Sequence, residues 1–290
     1  MSEVRIISAP YHAGALNERV GAGPTRLIQD GIEAALQAEG ARTSVTIIPG
    51  VEEFEGEIGR TFELKRRIAA AVAEARSAGA FPVVLAGNCN AEVGVWAGLG
   101  EPEAGLFWFD AHPDFDTPEE HRSGYLDGMG LATLAGQCWS NMAASVPGFR
   151  PFDVARLVYC GIRDFSPGQR EKVEGAGIRA TVGTKEGQTD YPAAFAPLLE
   201  ALPFEKASVH LDVDCLDTSV GIANEYAAPG GLSVEQLHRC VVLACEAAEP
   251  VSLTIASFNP ALEGAERISR AAIEAARVVV RSALTRSRAG

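Results

Sequence analysis

The sequence contains no uninterrupted run of about 20 apolar residues, the length that a helix needs to cross a bilayer. Its first ten residues, MSEVRIISAP, lack the basic segment and long apolar run that are typical of a secretory signal. Positive charge is also scarce, since 25 Lys and Arg residues stand against 38 Asp and Glu residues and leave a net charge of -13. Nucleic acids and anionic membranes bind basic surfaces. We therefore expect a soluble, cytoplasmic protein that binds small molecules or other proteins, with no nucleic-acid and no membrane partner.

Cysteine pairs in the C-x-x-C spacing are absent as well. A chain of 290 residues can bury a core without disulfides, and the irregular spacing of its six cysteines predicts reduced thiols. No repeat, linker or low-complexity tract divides the sequence, because Pro and Gly are spread along it and hydrophobic residues make up 47%. We therefore predict one domain over residues 1–290. The six cysteines are Cys89, Cys138, Cys160, Cys215, Cys240 and Cys245.

Short apolar runs alternate with longer segments in which apolar residues recur every three or four positions. Two such segments, residues 24–40 and 62–79, end in Gly and are predicted to be helices. The alternation predicts an α/β fold in which helices cover both faces of one parallel sheet. The apolar runs, predicted to be strands, are residues 4–10, 43–50, 81–87, 105–112, 156–164, 207–214 and 252–260.

Polar side chains cluster where three of these strands end. Asn88 and Asn90 follow VVLAG, Asp110 follows LFWF, and Asp212 and Asp214 end SVHLDVD. Ligands of open parallel sheets bind at the carboxyl ends of the strands. These segments, which are far apart in sequence, are therefore expected to meet in one crevice.

Two of the three clusters have the composition of a metal site. Asp110, His112 and Asp114 alternate, as do Asp212 and Asp214, and an extended backbone would aim each set to one side. Neither motif contains Lys or Arg, so the four carboxylates would repel one another without a cation. Oxygen ligands with one imidazole suit Mn²⁺ or a similar first-row ion better than a structural zinc. The alternative is that these acids cap helices or lie in solvated loops.

The motifs, their order and their spacing resemble the arginase or ureohydrolase superfamily of dinuclear manganese amidinohydrolases. The resemblance implies a parallel sheet of about eight strands, two divalent metal ions, expected to be Mn²⁺, and a homo-oligomer, either a trimer or a hexamer. It also implies that a hydroxide held between the ions attacks a guanidino carbon. By position, Asp110 and Asp212 would bridge the ions, Asp114 would complete one of them, and His112 and Asp214 would complete the other. The motifs that carry the resemblance are SAPYHAG, GAGPTRL, AGNCN, FDAHPDFDTP, SGYLDGM, YCGIRDFSPGQ, HLDVDCLD, APGGLS and ASFNPAL.

One metal-ligand position departs from the family pattern. Cys89 stands where most members have a ligand His, and some members that hydrolyse N-hydroxyarginine resemble this chain in having Cys there. A thiolate at this position would be a sixth ligand and would weaken the metals as Lewis acids. The alternative is a buried thiol with no role in metal binding.

The positions that would recognise the substrate also differ from those of arginases. Asp127 stands where arginases have a His that shuttles protons, and Asp116 is a further acid nearby. Asp127 and Asp116 are therefore the candidate catalytic acids. Ser166 and Ser257 replace two carboxylates, and a hydroxyl cannot form the bidentate pair that a guanidinium prefers. Plain L-arginine is therefore not the expected substrate. The candidate substrate-binding residues are Ser123, Tyr125, Ser166, Glu225, Tyr226 and Ser257.

Three functions remain open on the sequence alone. The first is a metal-dependent hydrolase of a C–N bond in a guanidino, amidino or formimino small molecule. The second is an amide hydrolase or deacetylase that uses the same metals, and the third is a metal-binding paralogue without turnover. The near-complete ligand set favours an enzyme. His121 and Arg122, which precede SGYLDGM, are further candidates for binding a substrate carboxylate, unless they are solvated loop residues.

Overall fold

A parallel β-sheet of eight strands forms the centre of the protein in the computed structural model, which describes residues 3–52 and 56–289. A two-stranded antiparallel pair, β2 (Tyr11–His12) and β3 (Ala15–Leu16), lies outside the sheet. The strands of the sheet are β1 (Glu3–Ala9), β4 (Arg42–Ile47), β5 (Phe81–Ala86), β6 (Gly105–Phe109), β7 (Leu157–Ile162), β8 (Arg179–Val182), β9 (Lys206–Asp212) and β10 (Glu249–Ala256). Their order across the sheet is β4-β1-β5-β10-β9-β6-β7-β8.

Helices cover both faces of the sheet. On one face, α3 packs with Val84 of β5, and on the other face, α9 and α10 pack with Val83. Neighbouring residues of a strand thus face opposite helix layers, which is why β5 and β6 are apolar throughout. The α-helices are α1 (Gly23–Gln29), α2 (Ile32–Ala38), α3 (Gly56–Ser77), α4 (Glu92–Leu99), α5 (Gly130–Leu134), α6 (Ser140–Ala144), α7 (Pro167–Gly175), α8 (Tyr191–Phe195), α9 (Val234–Ala247) and α10 (Ala265–Ala289).

The predicted α/β fold with about eight parallel strands is confirmed, with two corrections in detail. Strand β8 was not among the predicted strands, because it is a short edge strand whose residues, RATV, do not form an apolar run. The segment 24–40, predicted to be one helix, is divided into α1 and α2. The division occurs at Gly31, whose φ of +94° is outside the helical range and is readily adopted only by glycine.

The parallel direction of the strands brings their carboxyl ends to one edge of the sheet. The loops that follow β5, β6, β9 and β10 therefore meet there, as the sequence predicted. All six cysteines are buried, and none is paired in a disulfide among the described residues. Within residues 3–52 and 56–289, no helix is long and apolar enough to cross a membrane.

Candidate metal centre and substrate cavity

The loop after β6 carries Asp110, His112 and Asp114, and it turns sharply. Asp114 has a φ of +47°, a left-handed conformation that Asp tolerates better than most residues. The Asp110 carboxylate accepts a hydrogen bond from the backbone N of His112 at 2.7 Å, which closes the turn. The prediction of an extended backbone at this motif was therefore wrong. Side chains in a turn converge more closely than side chains that alternate along a strand.

The loop after β9 turns in the same way. Asp212 ends the strand and accepts a hydrogen bond at 2.8 Å from the backbone N of Asp214, which lies in a 3-10 helix over Val213–Cys215. The extended conformation predicted for Asp214 is thus wrong as well. Both turns still aim their carboxylates at the common sheet edge.

The ligand atoms from these loops form two overlapping groups. In the first, atoms of Cys89, Asp110 and Asp114 all lie within 4.8 Å of one another, and in the second the same is true of Asp110, His112 and Asp214. Asp110 belongs to both groups. Asp212 adjoins the first group, because its Oδ2 lies 2.9 Å from the Cys89 Sγ. Two adjacent groups of carboxylate, imidazole and thiol donors that share one carboxylate fit a pair of divalent ions.

The electrostatics of the centre match this donor set. Burial, followed by repulsion from Asp214, raises the pKa of Asp110 to about 6. Burial and neighbouring carboxylates raise the pKa values of Asp114 and Asp212 well above the ordinary range. Burial lowers the pKa of His112, but the adjacent Asp214 and Asp110 outweigh it, so the net pKa of His112 is well above its ordinary value. A bound cation would relieve this crowding of negative charge.

Two residues not singled out from the sequence orient the carboxylates. Trp108 donates a hydrogen bond from Nε1 to Asp110 Oδ2 at 2.8 Å, and Asn224 donates from Nδ2 to Asp214 Oδ2 at 2.9 Å. Burial alone would raise the pKa of Asp214, but the bonds from His112 and Asn224 lower it. Hydrogen bonds of this kind fix the direction of a metal-binding carboxylate. The sequence signal for the contact between Trp108 and Asp110 is their spacing of two residues in FWFD, which places both side chains on the same side of an extended strand.

Arg163, also missed from the sequence, holds the loop that follows β9. Its side chain is buried, and its guanidinium donates to the backbone carbonyls of Asp214 at 2.8 Å and Ala228 at 2.7 Å. Further bonds reach the carbonyls of Leu216 at 3.1 Å and Pro229 at 3.0 Å. These bonds join the two ends of the loop that carries Asn224, Glu225 and Tyr226. Arg163 therefore fixes the metal-site turn and the cavity loop together.

We expect Arg163→Met to lower the free energy of unfolding by about 3–5 kcal/mol, because several buried carbonyls would lose the charged donor that Arg163 supplies. Urea denaturation measures this change. Arg239→Met, at an exposed position of α9, is the control and should stay within about 0.5 kcal/mol of the parent protein. A loss below about 1 kcal/mol for Arg163→Met would show that the loop is held by other contacts.

Cys89 occupies the turn after β5, and its thiol faces the metal-ligand groups. Its Sγ donates to Asp212 Oδ2 at 2.9 Å and lies 3.2 Å from Ser257 Oγ. Burial raises the pKa of the Cys89 thiol well above its ordinary value, and the Asp212 carboxylate raises it further. A metal ion must displace that proton before sulfur can bind it.

If Cys89 is a ligand, Cys89→Ala should reduce bound metal from two ions to about one per chain, because Cys89 belongs to only one of the two groups. Metal analysis of the purified protein measures the loss. Cys245→Ala removes a thiol that is equally buried but lies in α9, and it should retain both ions. Two ions and unchanged turnover in Cys89→Ala would make the thiol a packing residue.

An open cavity of about 110 Å³ lies over the ligand groups. It is lined by most of the predicted site residues that are not metal ligands. Ser123 and Ser166 are exceptions, because neither is among the described residues that line the cavity. The predicted residues that do line it are Asp116, Tyr125, Asp127, Glu225, Tyr226 and Ser257.

The two exceptions have local structural contacts instead. Ser166 caps the N-terminus of α7, where its Oγ accepts from the backbone N of Gln169 at 3.2 Å. Ser123 is exposed and accepts from the backbone N of Tyr125. The predicted direct binding of substrate by Ser166 is therefore not supported by its position. Gln169, one turn into α7, lines the cavity in its place.

Asp127 lines the cavity but is also bonded to the turn that carries Cys89. Its Oδ2 accepts from Asn88 Nδ2 at 2.7 Å, and its Oδ1 accepts from the backbone N of Asn90 at 2.8 Å. Burial raises the pKa of Asp127, although these bonds oppose the shift. Each carboxylate oxygen thus holds one side of the Asn88–Asn90 turn. These contacts favour an anchoring role over the free acid that the sequence predicted.

Two stacked tyrosines form a wall of the cavity. The centres of the Tyr125 and Tyr226 rings are 5.4 Å apart, and the ring planes are inclined by 27°. The centre of the Tyr226 ring also lies 6.5 Å from that of the His112 imidazole, in an edge-to-face arrangement. Tyr226 is 54% exposed, so it stands at the mouth. An aromatic surface of this kind attracts flat cationic groups.

Comparison with known proteins identifies one family that matches almost the whole chain. The arginase family model matches residues 2–283. Arginase-1 of Oryctolagus cuniculus is 29% identical over 286 residues, which cover 89% of this chain and 85% of the rabbit protein. Among solved structures, an arginase from Bacillus cereus has a TM-score of 0.84 at 22% identity and covers 97% of this chain and 98% of that chain. Formimidoylglutamase from Bacillus subtilis subsp. subtilis str. 168 has a TM-score of 0.74 at 15% identity, with coverage of 98% and 88%.

Proposed function

The chain belongs to the arginase family, and from that premise we propose that it is a metal-dependent hydrolase that cleaves a C–N bond in a small guanidino, amidino or formimino compound. The observation that carries the proposal is the pair of ligand groups that share Asp110 beneath an open cavity. A metal-binding paralogue without turnover would not need a cavity above its ligands.

The ligand groups support two divalent ions, with Mn²⁺ as the first candidate. Cys89, Asp110, Asp114 and Asp212 would hold one ion, and Asp110, His112, Asp212 and Asp214 would hold the other. When bound, such ions supply a hydroxide nucleophile near neutral pH by lowering the pKa of a water molecule. Trp108 and Asn224 would keep the carboxylates in place during this chemistry.

The cavity favours a cationic substrate. Apart from the proposed metal ligands, the acids Asp116, Asp127, Asp164 and Glu225 line it, and no Lys or Arg does so among the described residues. The tyrosine wall adds a surface for a flat cation. Negative charge and an aromatic face together attract an amidinium or a guanidinium without a dedicated carboxylate partner.

The substrate is proposed to be a modified guanidino compound, with N-hydroxy-L-arginine as the first candidate, rather than L-arginine. Ser257 lines the cavity, and its Oγ lies 3.2 Å from the Cys89 Sγ. A hydroxyl at this position can bond to an N-hydroxy group, but it cannot offer two oxygens to an unmodified guanidinium. Ser257 has a φ of +64°, a strained conformation for a residue other than Gly, which supports a constrained position for its side chain.

A turnover panel tests the proposal. The Mn²⁺-loaded protein is assayed with N-hydroxy-L-arginine, L-arginine, agmatine and N-formimidoyl-L-glutamate, and the released amine or ammonia is measured. We expect kcat/KM for N-hydroxy-L-arginine to exceed about 10⁴ M⁻¹s⁻¹ and that for L-arginine to fall well below it. An L-arginine value above that level would contradict the proposed specificity. Absence of turnover with all four compounds in protein that contains two ions would contradict the proposed class of reaction.

A further inference from the structure

His121 and Asp116 form a hydrogen-bonded pair in the wall of the cavity. The Nδ1 of His121 lies 2.8 Å from Asp116 Oδ2, and the same oxygen accepts from Gln169 Nε2 at 2.9 Å. A carboxylate oxygen with two donors orients the imidazole so that Nδ1 carries a hydrogen. The backbone N of Asp116 donates to Gly128 O at 3.1 Å, which attaches the pair to the segment that carries Asp127.

His121 is one of the residues that line the cavity. No hydrogen bond from the described residues reaches Nε2, and this atom is accessible to solvent. The His121 side chain is 25% exposed, whereas that of Asp116 is 8% exposed. The ring packs against Gly128, where an added Cβ would lie 3.1 Å from His121 Cε1. His121 is thus held by Asp116 through Nδ1, while its Nε2 has no hydrogen-bond partner among the described residues.

The carboxylates that line the cavity outside the ligand groups are already bonded. Asp127 holds the Asn88–Asn90 turn with both oxygens. Asp164 accepts from Lys185 Nζ at 2.5 Å. Glu225 is exposed and accepts from Asn259 Nδ2 at 3.0 Å.

The tyrosines of the wall are weaker candidates for proton transfer. Burial raises the pKa of Tyr125 far above its ordinary value, so this phenol keeps its proton. Tyr226 lies at the exposed mouth and stacks on Tyr125. His121 is therefore the group in the cavity wall with a fixed orientation, an open nitrogen and no other bonding task.

We propose that His121, oriented by Asp116, is the catalytic residue that donates a proton to the leaving nitrogen, an inference that rests on the proposed C–N hydrolysis. After water has added to the amidino carbon, the C–N bond breaks and its electron pair stays on the leaving nitrogen. That nitrogen takes the proton from His121 Nε2 and departs as an amine, while the hydroxyl on the carbon releases its proton to solvent and becomes the carbonyl of the other product. The neutral imidazole then recovers a proton from solvent at the open side of the cavity. Asp116 is a positioning residue, since it acts through His121.

The charges around the pair agree with this role. Glu120, which precedes His121, forms an ion pair with Lys172 of α7 at 2.7 Å, so the charges of these two side chains offset each other. Gln169 of α7 is neutral. Asp116 bonds directly to the imidazole, and Asp127 precedes Gly128, against which the ring packs, so the charged side chains nearest to the ring are carboxylates.

Steady-state kinetics with N-hydroxy-L-arginine test the proposal in the Mn²⁺-loaded protein. We expect His121→Asn to lower kcat by about 10²- to 10⁴-fold, the usual contribution of a positioned acid, with KM changed less than about threefold. Imidazole added to His121→Ala should restore part of the turnover, and Asp116→Asn should lower kcat less than either His121 variant. Metal content should stay at two ions in every variant. Glu119→Gln, at an exposed position of the same loop, is the control with unchanged kinetics.

A measurement on the unmodified protein is independent of variant folding and of turnover. Long-range ¹H–¹⁵N NMR spectra of the magnesium-loaded protein should show a hydrogen on His121 Nδ1, with the resonance identified by its loss in His121→Asn. Nδ1 without a hydrogen would overturn the proposal, as would unchanged kcat in His121→Asn. A raised KM with unchanged kcat would make His121 a substrate-binding residue and would also overturn it. If the parent protein shows no turnover of any panel compound, the proposed function fails instead, whatever the state of His121.

Discussion

Asp110→Ala is expected to remove both metal ions and to lower turnover by about 10³-fold or more. Asp110 belongs to both ligand groups, so its loss weakens both at once. Metal ions lower the barrier of such hydrolyses by several kcal/mol, and each 1.4 kcal/mol is about a tenfold change in rate. Metal analysis and turnover are measured on the same preparation.

Asp114→Ala is the matched comparison, because Asp114 belongs to one group only. It should retain about one ion per chain. The asymmetry between the two variants is the informative result, since a general loss of structure would affect both equally. Two ions in Asp110→Ala, or equal loss in both variants, would contradict a shared carboxylate.

The second large effect is a pH-dependent stabilisation by metal. The pKa of Asp110 is raised to about 6 by burial and by Asp214, and those of Asp114 and Asp212 are raised well above the ordinary range by burial and by neighbouring carboxylates. An acid whose pKa is raised on folding favours the folded state while it is protonated, and that contribution is lost as pH rises through the folded pKa. The metal-free protein should therefore lose the stability that Asp110 contributes as pH rises from the ordinary carboxyl range through about 6. The contributions of Asp114 and Asp212 should also fall as pH rises, because their pKa values are raised as well. The stabilisation by bound metal should increase as pH rises, because metal ions compete with protons for the same carboxylates.

Thermal unfolding at pH 5 and pH 8, with and without Mn²⁺, measures the effect. At pH 8, an ion concentration of about 100 times Kd stabilises by about 2.7 kcal/mol per site. Two sites should then raise Tm by about 9 °C, since each kcal/mol shifts the Tm of a chain of this size by about 1.6 °C. The shift should be much smaller at pH 5 and absent in Asp110→Ala at both values. An equal shift at pH 5 and pH 8 would mean that the ions bind elsewhere.

The sheet and the approximate location of the site could be predicted because both depend on local sequence. Buried parallel strands need apolar residues on both faces, so VVLAG and LFWF could be recognised without any tertiary information. The polar residues that follow them could then be assigned to one edge of the sheet. Strand β8 has no such run, because an edge strand needs fewer apolar side chains.

The contacts that orient the site could not be predicted in the same way. Arg163 contacts the carbonyls of a loop more than 50 residues away, and nothing in GIRDF indicates that partner. Asn224 meets Asp214 only because the intervening loop turns back. Ser166 matched a family position, but the local demand for a helix cap determined its contact. Residue type and spacing therefore predicted the donors, while long-range packing determined their partners.

Titration of the metal-stripped protein with Mn²⁺, with turnover of N-hydroxy-L-arginine followed in parallel, tests the proposed binuclear hydrolase most directly. Turnover should be absent without metal, rise as ions bind, and reach a plateau at two Mn²⁺ per chain. Turnover that persists after complete removal of metal, or two bound ions with no hydrolysis of any compound in the panel, would contradict it.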